Sequence, residues 1–119
     1  MLSPEEQQQY ADLRAIVARL RAPDGCPWDR EQTHSSLRPY VIEEAFEVVG
    51  ALDANDIASL PEELGDLLLQ IVLHSQLAEE AGEFTMTDVI RGLSDKLVRR
   101  HPHVFGDVEL ETPDQVNRQ

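Results

Sequence analysis

The chain has 119 residues, the length of one domain, and its formal net charge of −13 makes it strongly acidic. Such a charge argues against nucleic-acid binding, which requires a basic surface. Cys26 is the only cysteine, so no disulfide can form within the chain. Because neither a basic and apolar leader nor a run of about 18 apolar residues occurs, we expect a cytoplasmic protein with no membrane partner.

Four segments carry the apolar repeat of amphipathic helices. The first begins at the helix-start signal Ser3-Pro4 and ends near Arg21. A turn-rich loop follows over 22–32, which we expect to be ordered because Trp28 needs a packing partner. The other three helices are predicted over 39–52, from about 60 to 81, and from about 86 to 100, where Thr85 or Thr87 is the candidate cap. The sequence predicts an all-α fold in which the second and third helices are antiparallel at the centre.

The second and third predicted helices are apolar on more than one face, notably over 41–52 and 67–73. A small helical domain cannot bury that much surface within itself, so the surplus predicts a homo-oligomer. We expect the side chains of Phe46, Phe84 and Phe105 to be in the core. His74 is predicted to be a core or interface residue, and Cys26 and Trp28 to pack in their loop.

Five carboxylates interrupt these two apolar helices: Glu43, Glu44, Glu47, Glu63 and Asp66. Residues three or four apart share a helix face, so Glu44 and Glu47 point together, as do Glu63 and Asp66. Across an antiparallel pair the two couples can converge, and a hard cation would relieve their repulsion. Mg²⁺ suits such a site because it keeps coordination positions open for water and phosphate oxygens.

A solvated helix face and a di-iron centre are the alternatives to a magnesium site. Glutamates on helices are commonly solvated, and acidic residues in a first helical turn, such as Glu62 and Glu63, are favoured by the helix dipole alone. A di-iron centre is disfavoured because it needs Glu-x-x-His pairs on two helices, and only Glu31-x-x-His34 fits. Gly65 is costly within a helix, which predicts a packing or access reason such as the close approach of the neighbouring helix.

A basic cluster at the end of the fourth predicted helix is the second candidate site. Lys96, Arg99 and Arg100 share one helix face, and His101 follows directly. Three of the ten Lys and Arg residues of so acidic a chain are gathered here, which suggests a phosphate-binding group. The alternative is the ordinary preference of cations for helix C-termini.

Three motifs in series resemble the MazG-type nucleoside triphosphate pyrophosphohydrolases, and together they extend from about residue 20 to residue 107. The central motif reads Glu43-Glu44-x-x-Glu47, followed by Glu63-Leu64-Gly65-Asp66. The flanking motifs read Gly25-Cys26-Pro27-Trp28-Asp29 and Asp95-Lys96-Leu97-Val98-Arg99-Arg100-His101-Pro102-His103-Val104-Phe105.

The resemblance implies a four-helix, all-α domain over residues 1–119, with its core at about 20–107, that forms a homodimer or a homotetramer. It implies Mg²⁺-dependent hydrolysis of a nucleoside triphosphate to the monophosphate and diphosphate, in which Mn²⁺ can replace Mg²⁺. By position, Glu44, Glu47, Glu63 and Asp66 would bind the metal. Glu43 would orient or deprotonate the attacking water, and the triphosphate would be bound by Lys96, Arg99 and Arg100.

Several alternatives to this function are kept open. One is a specialised relative, a dUTP- or dCTP-selective pyrophosphatase or a phosphoribosyl-ATP pyrophosphatase, although the third motif favours the MazG branch. Another is an acidic helical interaction module without catalysis, against which the five intact acidic positions argue. The sequence departs from the family pattern after Gln119, where a Trp-containing helix is expected. If that helix binds nucleotide, the chain as given would be weakly active.

Overall fold

The computed structural model describes residues 1–107 and 112–114. Within them the chain is helical and contains no strand, so the all-α prediction is confirmed. The helices are α1 (Pro4–Leu20), α2 (Pro27–Glu31), α3 (Arg38–Asp53), α4 (Leu60–Glu80), α5 (Met86–Arg100) and α6 (Pro102–Phe105). None of the described helices combines the length and the hydrophobicity that a membrane span requires.

The four predicted helices correspond to α1, α3, α4 and α5, within a residue or two at each end. Ser3 and Glu6 form a capping box at the start of α1. Thr85 and Asp88 form another at α5, which identifies Thr85 rather than Thr87 as the cap. The short helices α2 and α6 were not predicted. Most of the tail over 103–119 lies outside the described residues.

The chain divides into two compact units, one from Met1 to Glu83 and one that begins at Phe84. In the first unit α4 packs against both α3 and α1. The side chain of Glu47 in α3 interacts with that of Glu63 near the start of α4, and His34, which precedes α3, is hydrogen-bonded to His74 in the second half of α4. The two helices therefore run in opposite directions. The most buried apolar residues of this unit are Val17, Leu37, Val72, Leu73 and Ala78.

The loop between α1 and α3 is ordered by a buried arginine. Arg21, whose side chain is 9% exposed, donates hydrogen bonds to the Glu80 carboxylate and to the backbone carbonyls of Asp29 and Gln32. At Gly25 a Cβ atom would collide with the carbonyl oxygens that end α1. Trp28 packs edge-on against Tyr40, with the ring centroids 5.6 Å apart. The prediction of an ordered loop in which Trp28 packs is therefore confirmed.

Two expectations about packing are wrong. Phe46 is 70% exposed and Phe105 63% exposed, and Phe84 is exposed as well, so none of the three is in a core of the described chain. Phe46 lies two residues from Glu44, about 200° around the helix, and therefore faces away from the side of α3 that meets α4. Gly65 has nothing within 4 Å of the position of its absent Cβ, so the close approach of a neighbouring helix is not found, while the other expected reason, access to the site, is untested.

Candidate metal centre

The structure brings together four of the five predicted carboxylates. Glu44 and Glu47 come from α3, and Glu63 and Asp66 come from the start of α4. One carboxylate oxygen of each residue can be chosen so that all four lie within 4.8 Å of one another. The i,i+3 spacing on each helix thus produces the predicted convergence, and the cluster is made from the residues of the first unit alone.

The electrostatics of this cluster favour protonated carboxyls when no cation is present. The pKa of Glu44 is raised by burial and then by the charges of Glu47, Asp66 and Glu43. The pKa of Glu63 is raised first by a hydrogen bond with the Glu47 carboxyl and then by burial and the surrounding charges. Two carboxyl groups can share a hydrogen bond only if one of them holds a proton. A bound cation would relieve the repulsion and favour the ionised form of these carboxyls.

The donor atoms fit a hard divalent cation. The Oε2 atoms of Glu44 and Glu63 are buried and have no hydrogen-bond partner among the described residues. Buried oxygens without a partner are costly, and a bound cation would give these two a ligand. The remaining donors of the cluster are carboxylate oxygens too, the ligands that Mg²⁺ and Ca²⁺ prefer. The metal-binding role of the four residues remains a prediction that this chemistry supports.

Glu43 lies beside the cluster but outside it. It is exposed on α3, one turn before Glu47, and it does not belong to the group of four converging oxygens. Its charge nevertheless acts on the carboxyl of Glu44. A carboxylate in this place can accept a hydrogen bond or a proton while the other four hold a cation, and its predicted role with the attacking water is untested.

The predicted phosphate-binding residues are in the second unit. Lys96, Arg99 and Arg100 are exposed in the last two turns of α5, and none of them forms an ion pair with another described residue. Their positive charge is therefore available to an anion. Whether they bind phosphate stays a prediction.

Sequence analysis missed Gln70 and the interaction made by His74. Gln70 is buried in α4, and its Oε1 atom has no partner among the described residues. A signal was present, because Gln70 is the only polar residue in the run from 67 to 73. His74 is half-buried and stacks on His34, with an Nδ1···Nδ1 distance of 2.8 Å.

Comparisons with known proteins agree with the geometry of this site. Residues 32–105 match the MazG nucleotide pyrophosphohydrolase domain. The chain is 56% identical over 98 residues to the nucleoside triphosphate pyrophosphohydrolase/pyrophosphatase MazG of Thermotoga maritima, an alignment that covers 82% of the chain and 38% of that protein. It is 49% identical over 109 residues to the nucleoside triphosphate pyrophosphohydrolase of Escherichia coli K12, covering 91% of the chain and 41% of that protein.

A third relative is the uncharacterized protein YabN of Bacillus subtilis, which is 51% identical over 108 residues, covering 91% of the chain and 22% of that protein. The chain thus spans less than half the length of each of these three relatives. The matched region contains all four converging carboxylates as well as Glu43 and the basic cluster of α5.

Proposed function

Because the chain belongs to the MazG nucleotide pyrophosphohydrolase family, we propose that it hydrolyses nucleoside triphosphates to the monophosphate and diphosphate in a Mg²⁺-dependent reaction. The observation that carries this proposal is the convergence of Glu44, Glu47, Glu63 and Asp66 within 4.8 Å. Four carboxylates this close repel one another when they are ionised, and a cation that also binds phosphate oxygens would relieve that repulsion. Removal of unwanted nucleotides from the cellular pool is the role we propose for the reaction.

The four carboxylates would hold the cation, and Mn²⁺ is expected to substitute for Mg²⁺ because it accepts the same oxygen ligands. A divalent cation at this position supplies Lewis-acid polarisation of the phosphate and lowers the pKa of a water. The two orphaned oxygens of Glu44 and Glu63 support the assignment, since each lacks any other partner among the described residues.

The remaining roles fall to side chains outside the cluster. Glu43 is proposed to orient the attacking water and to accept its proton, because its carboxylate is exposed next to Glu44. Lys96, Arg99 and Arg100 are proposed to bind the triphosphate and to neutralise the charge that develops on the departing diphosphate. Their lack of ion pairs with other described residues supports this role.

We also propose that the chain works as a homodimer or homotetramer built on a helical bundle. Both helices of the site carry exposed apolar stripes at helical spacing, which consist of Ile42, Phe46 and Val49 on α3 and of Leu64, Leu68 and Ile71 on α4. Exposed apolar surface of this extent is typical of subunit interfaces.

The test is to incubate the protein with each common ribo- and deoxyribonucleoside triphosphate, with and without Mg²⁺, and to separate the products by ion-exchange chromatography. We expect the monophosphate and diphosphate to appear in equal amounts only when the metal is present. Release of orthophosphate together with the nucleoside diphosphate would contradict the proposed reaction. If no substrate were turned over, the non-catalytic interaction module would be favoured.

Matched variants identify the site responsible. Asp66→Asn is expected to lower kcat/KM at least 100-fold while the helical circular dichroism spectrum is retained. Glu62→Gln is the control, because Glu62 is an exposed carboxylate in the first turn of α4, about one turn before Asp66, and does not belong to the cluster. Equal losses in the two variants would argue against the cluster as the reaction site. A preference for one pyrimidine substrate in the panel would identify a specialised relative.

A further inference from the structure

Gln70 is a buried polar residue in the middle of α4 whose side-chain oxygen has no hydrogen bond within the described chain to account for its burial. The residue is only 6% exposed, and its Oε1 atom is buried without a hydrogen-bond partner among the described residues. Burying an amide oxygen without a partner costs about 1–3 kcal/mol. An unsatisfied buried group in a folded protein therefore indicates a ligand, a water or a catalytic role.

The position of Gln70 relates it to the carboxylate cluster. It lies four residues after Asp66 and seven after Glu63, so the three residues share one face of α4. On that face, residues one turn apart have Cβ atoms about 5–6 Å from each other. Since Glu63 and Asp66 meet Glu44 and Glu47, the face that bears Gln70 is the one turned toward α3.

Each of the neighbouring polar residues of α4 from 74 to 76 makes a side-chain hydrogen bond. Ser75, which is also buried, donates its hydroxyl to the carbonyl oxygen of Ile71 at 2.8 Å. Gln76 donates its amide to Glu80 at 3.0 Å, and the ring of His74 is hydrogen-bonded to His34. Gln70 is therefore unlike the other polar side chains in this part of the helix, and general polarity of α4 does not account for it.

The missing partner of Oε1 must be a hydrogen-bond donor. A carboxylate that holds a cation is ionised and only accepts hydrogen bonds, so Glu63 and Asp66 cannot supply a donor once the ion is bound. A hydrated cation can, because Mg²⁺ keeps several of its waters when proteins bind it and each of these has O–H groups directed outward. Binding of the ion would thus bring a donor to the face of α4 where a buried acceptor lacks one.

We propose that Gln70 is a positioning residue of the carboxylate site, whose Oε1 atom accepts a hydrogen bond from a water in the hydration shell of the bound cation. The inference rests on the proposed function, since it needs a cation at the cluster. Outer hydrogen-bonding partners of metal sites typically contribute 10–100-fold to metal affinity. Gln70 does not touch the reacting atoms in this role. It fixes the orientation of a water and, through it, the ion.

The experiment measures metal binding without turnover, by titrating Mn²⁺ into the full chain and following free Mn²⁺ by electron paramagnetic resonance. Gln70→Met keeps the length of the side chain but removes the acceptor. We expect its Kd for Mn²⁺ to rise 10–100-fold. In metal-free buffer its melting temperature should stay the same or rise, because an unsatisfied oxygen has been removed. A Kd within twofold of the unsubstituted protein, or a marked loss of metal-free stability, would overturn the proposal.

Two further variants separate the hydrogen bond from packing. Gln70→Glu retains an acceptor at the same place and adds negative charge beside the carboxylate cluster, so it is expected to bind Mn²⁺ at least as tightly as the unsubstituted chain. Equal weakening by Met and Glu would show that only packing matters. Gln76→Met makes the same change one and a half turns away and should leave the Kd unchanged. If the unsubstituted protein binds no Mn²⁺, the carboxylate site itself is wrong and the role of Gln70 falls with it.

Discussion

Glu44 has a raised pKa because its carboxyl is partly removed from water and faces the negative charges of Glu47, Asp66 and Glu43. A carboxyl whose pKa is higher in the folded state than in the unfolded state stabilises the fold below its unfolded pKa, near 4.5. That stabilisation is lost as the pH rises through the folded pKa. In neutral, metal-free solution the ionised cluster therefore works against folding.

We accordingly predict that Glu44→Gln raises the melting temperature by a few degrees at pH 7.5 in the presence of a chelator. The same variant should lose most of the increase in melting temperature that saturating Mg²⁺ gives the unsubstituted protein, since binding stabilises the folded state in proportion to affinity. Differential scanning calorimetry with and without Mg²⁺ measures both effects. Destabilisation of the metal-free variant would mean that Glu44 has a structural role instead.

For single residues, the sequence predicted which side chains share a helix face, because helical periodicity alone determines this. Glu44 and Glu47 had to share a face whatever their surroundings, and so did Glu63 and Asp66. Periodicity does not say which face is covered, and for this reason Phe46 was assigned to a core although its side of α3 is open. The missing hydrogen bond of Gln70 was equally hidden, because satisfaction of a buried group depends on its neighbours in space.

At the scale of elements, Arg21 connects the end of α1, the loop after it and the end of α4. Its guanidinium contacts both carboxylate oxygens of Glu80, and it also donates to the carbonyls of Asp29 and Gln32. We predict that Arg21→Met lowers the free energy of unfolding by about 1.5–3 kcal/mol, the range for hydrogen bonds that involve charged groups. Urea denaturation measures the loss.

Arg19 provides the control for this prediction. It forms an ion pair with Asp24 at 3.0 Å, but both side chains are largely exposed. Solvated pairs of this kind contribute about 0–1 kcal/mol, so Arg19→Met should change the free energy of unfolding far less than Arg21→Met. Similar losses for the two variants would contradict the assignment of Arg21 as the organising residue of the loop.

His34 and His74 make the contact between the turn that precedes α3 and the second half of α4 sensitive to pH. Their Nδ1 atoms are 2.8 Å apart, so one must donate and the other accept, while His34 Nε2 lies 2.9 Å from Glu83 Oε1. Burial and then the charge of His34 lower the pKa of His74. A base with a lowered folded pKa gives stability that is complete above its unfolded pKa, near 6.5. The stability is lost as the pH falls through the folded pKa.

We therefore predict that protonation of His74 lowers the free energy of unfolding as the pH falls below about 6.5. His74→Gln removes this contribution and should gain stability relative to the unsubstituted chain between pH 7.5 and pH 5.5. Urea denaturation at pH 7.5 and pH 5.5 measures the difference for each protein. His101→Gln is the control, because within the described part of the chain the ring of His101 is hydrogen-bonded to the carbonyl of Leu97 and lies beside the ring of His103, away from His34 and His74 in sequence. A pH dependence in His74→Gln equal to that of the unsubstituted chain would rule out this origin.

Helix positions were predictable to within a residue or two because caps, prolines and glycines mark their ends, as Ser3 and Gly82 do. The helices α2 and α6 were missed for a physical reason. They have five and four residues, too few for an apolar repeat to show. In α2, Trp28 packs on Tyr40 of α3, a tertiary contact that local sequence does not specify.

At the scale of the whole molecule, the described chain leaves much apolar surface uncovered. The stripes on α3 and α4 repeat at i, i+4 and i+7, so each is a continuous ridge rather than scattered residues. The predicted single domain over residues 1–119 and the predicted oligomer both remain predictions. A partner helix on these ridges would cover them and would leave the carboxylates, which lie on the opposite side of α3 from Phe46, facing α4.

The proposed oligomer can be tested by introducing one charged side chain into the exposed apolar stripe of α3. Phe46 is the most exposed large apolar residue of α3, and we predict that Phe46→Glu converts the protein from a dimer or tetramer to a monomer, because burying an unpaired carboxylate in an apolar interface is prohibitive. Light scattering coupled to gel filtration gives the mass, and circular dichroism checks that the helices persist. Ile16→Glu is the control, since Ile16 is similarly exposed but lies on α1. A monomeric unsubstituted protein, or dissociation by both variants alike, would show that the ridge of α3 is not the interface.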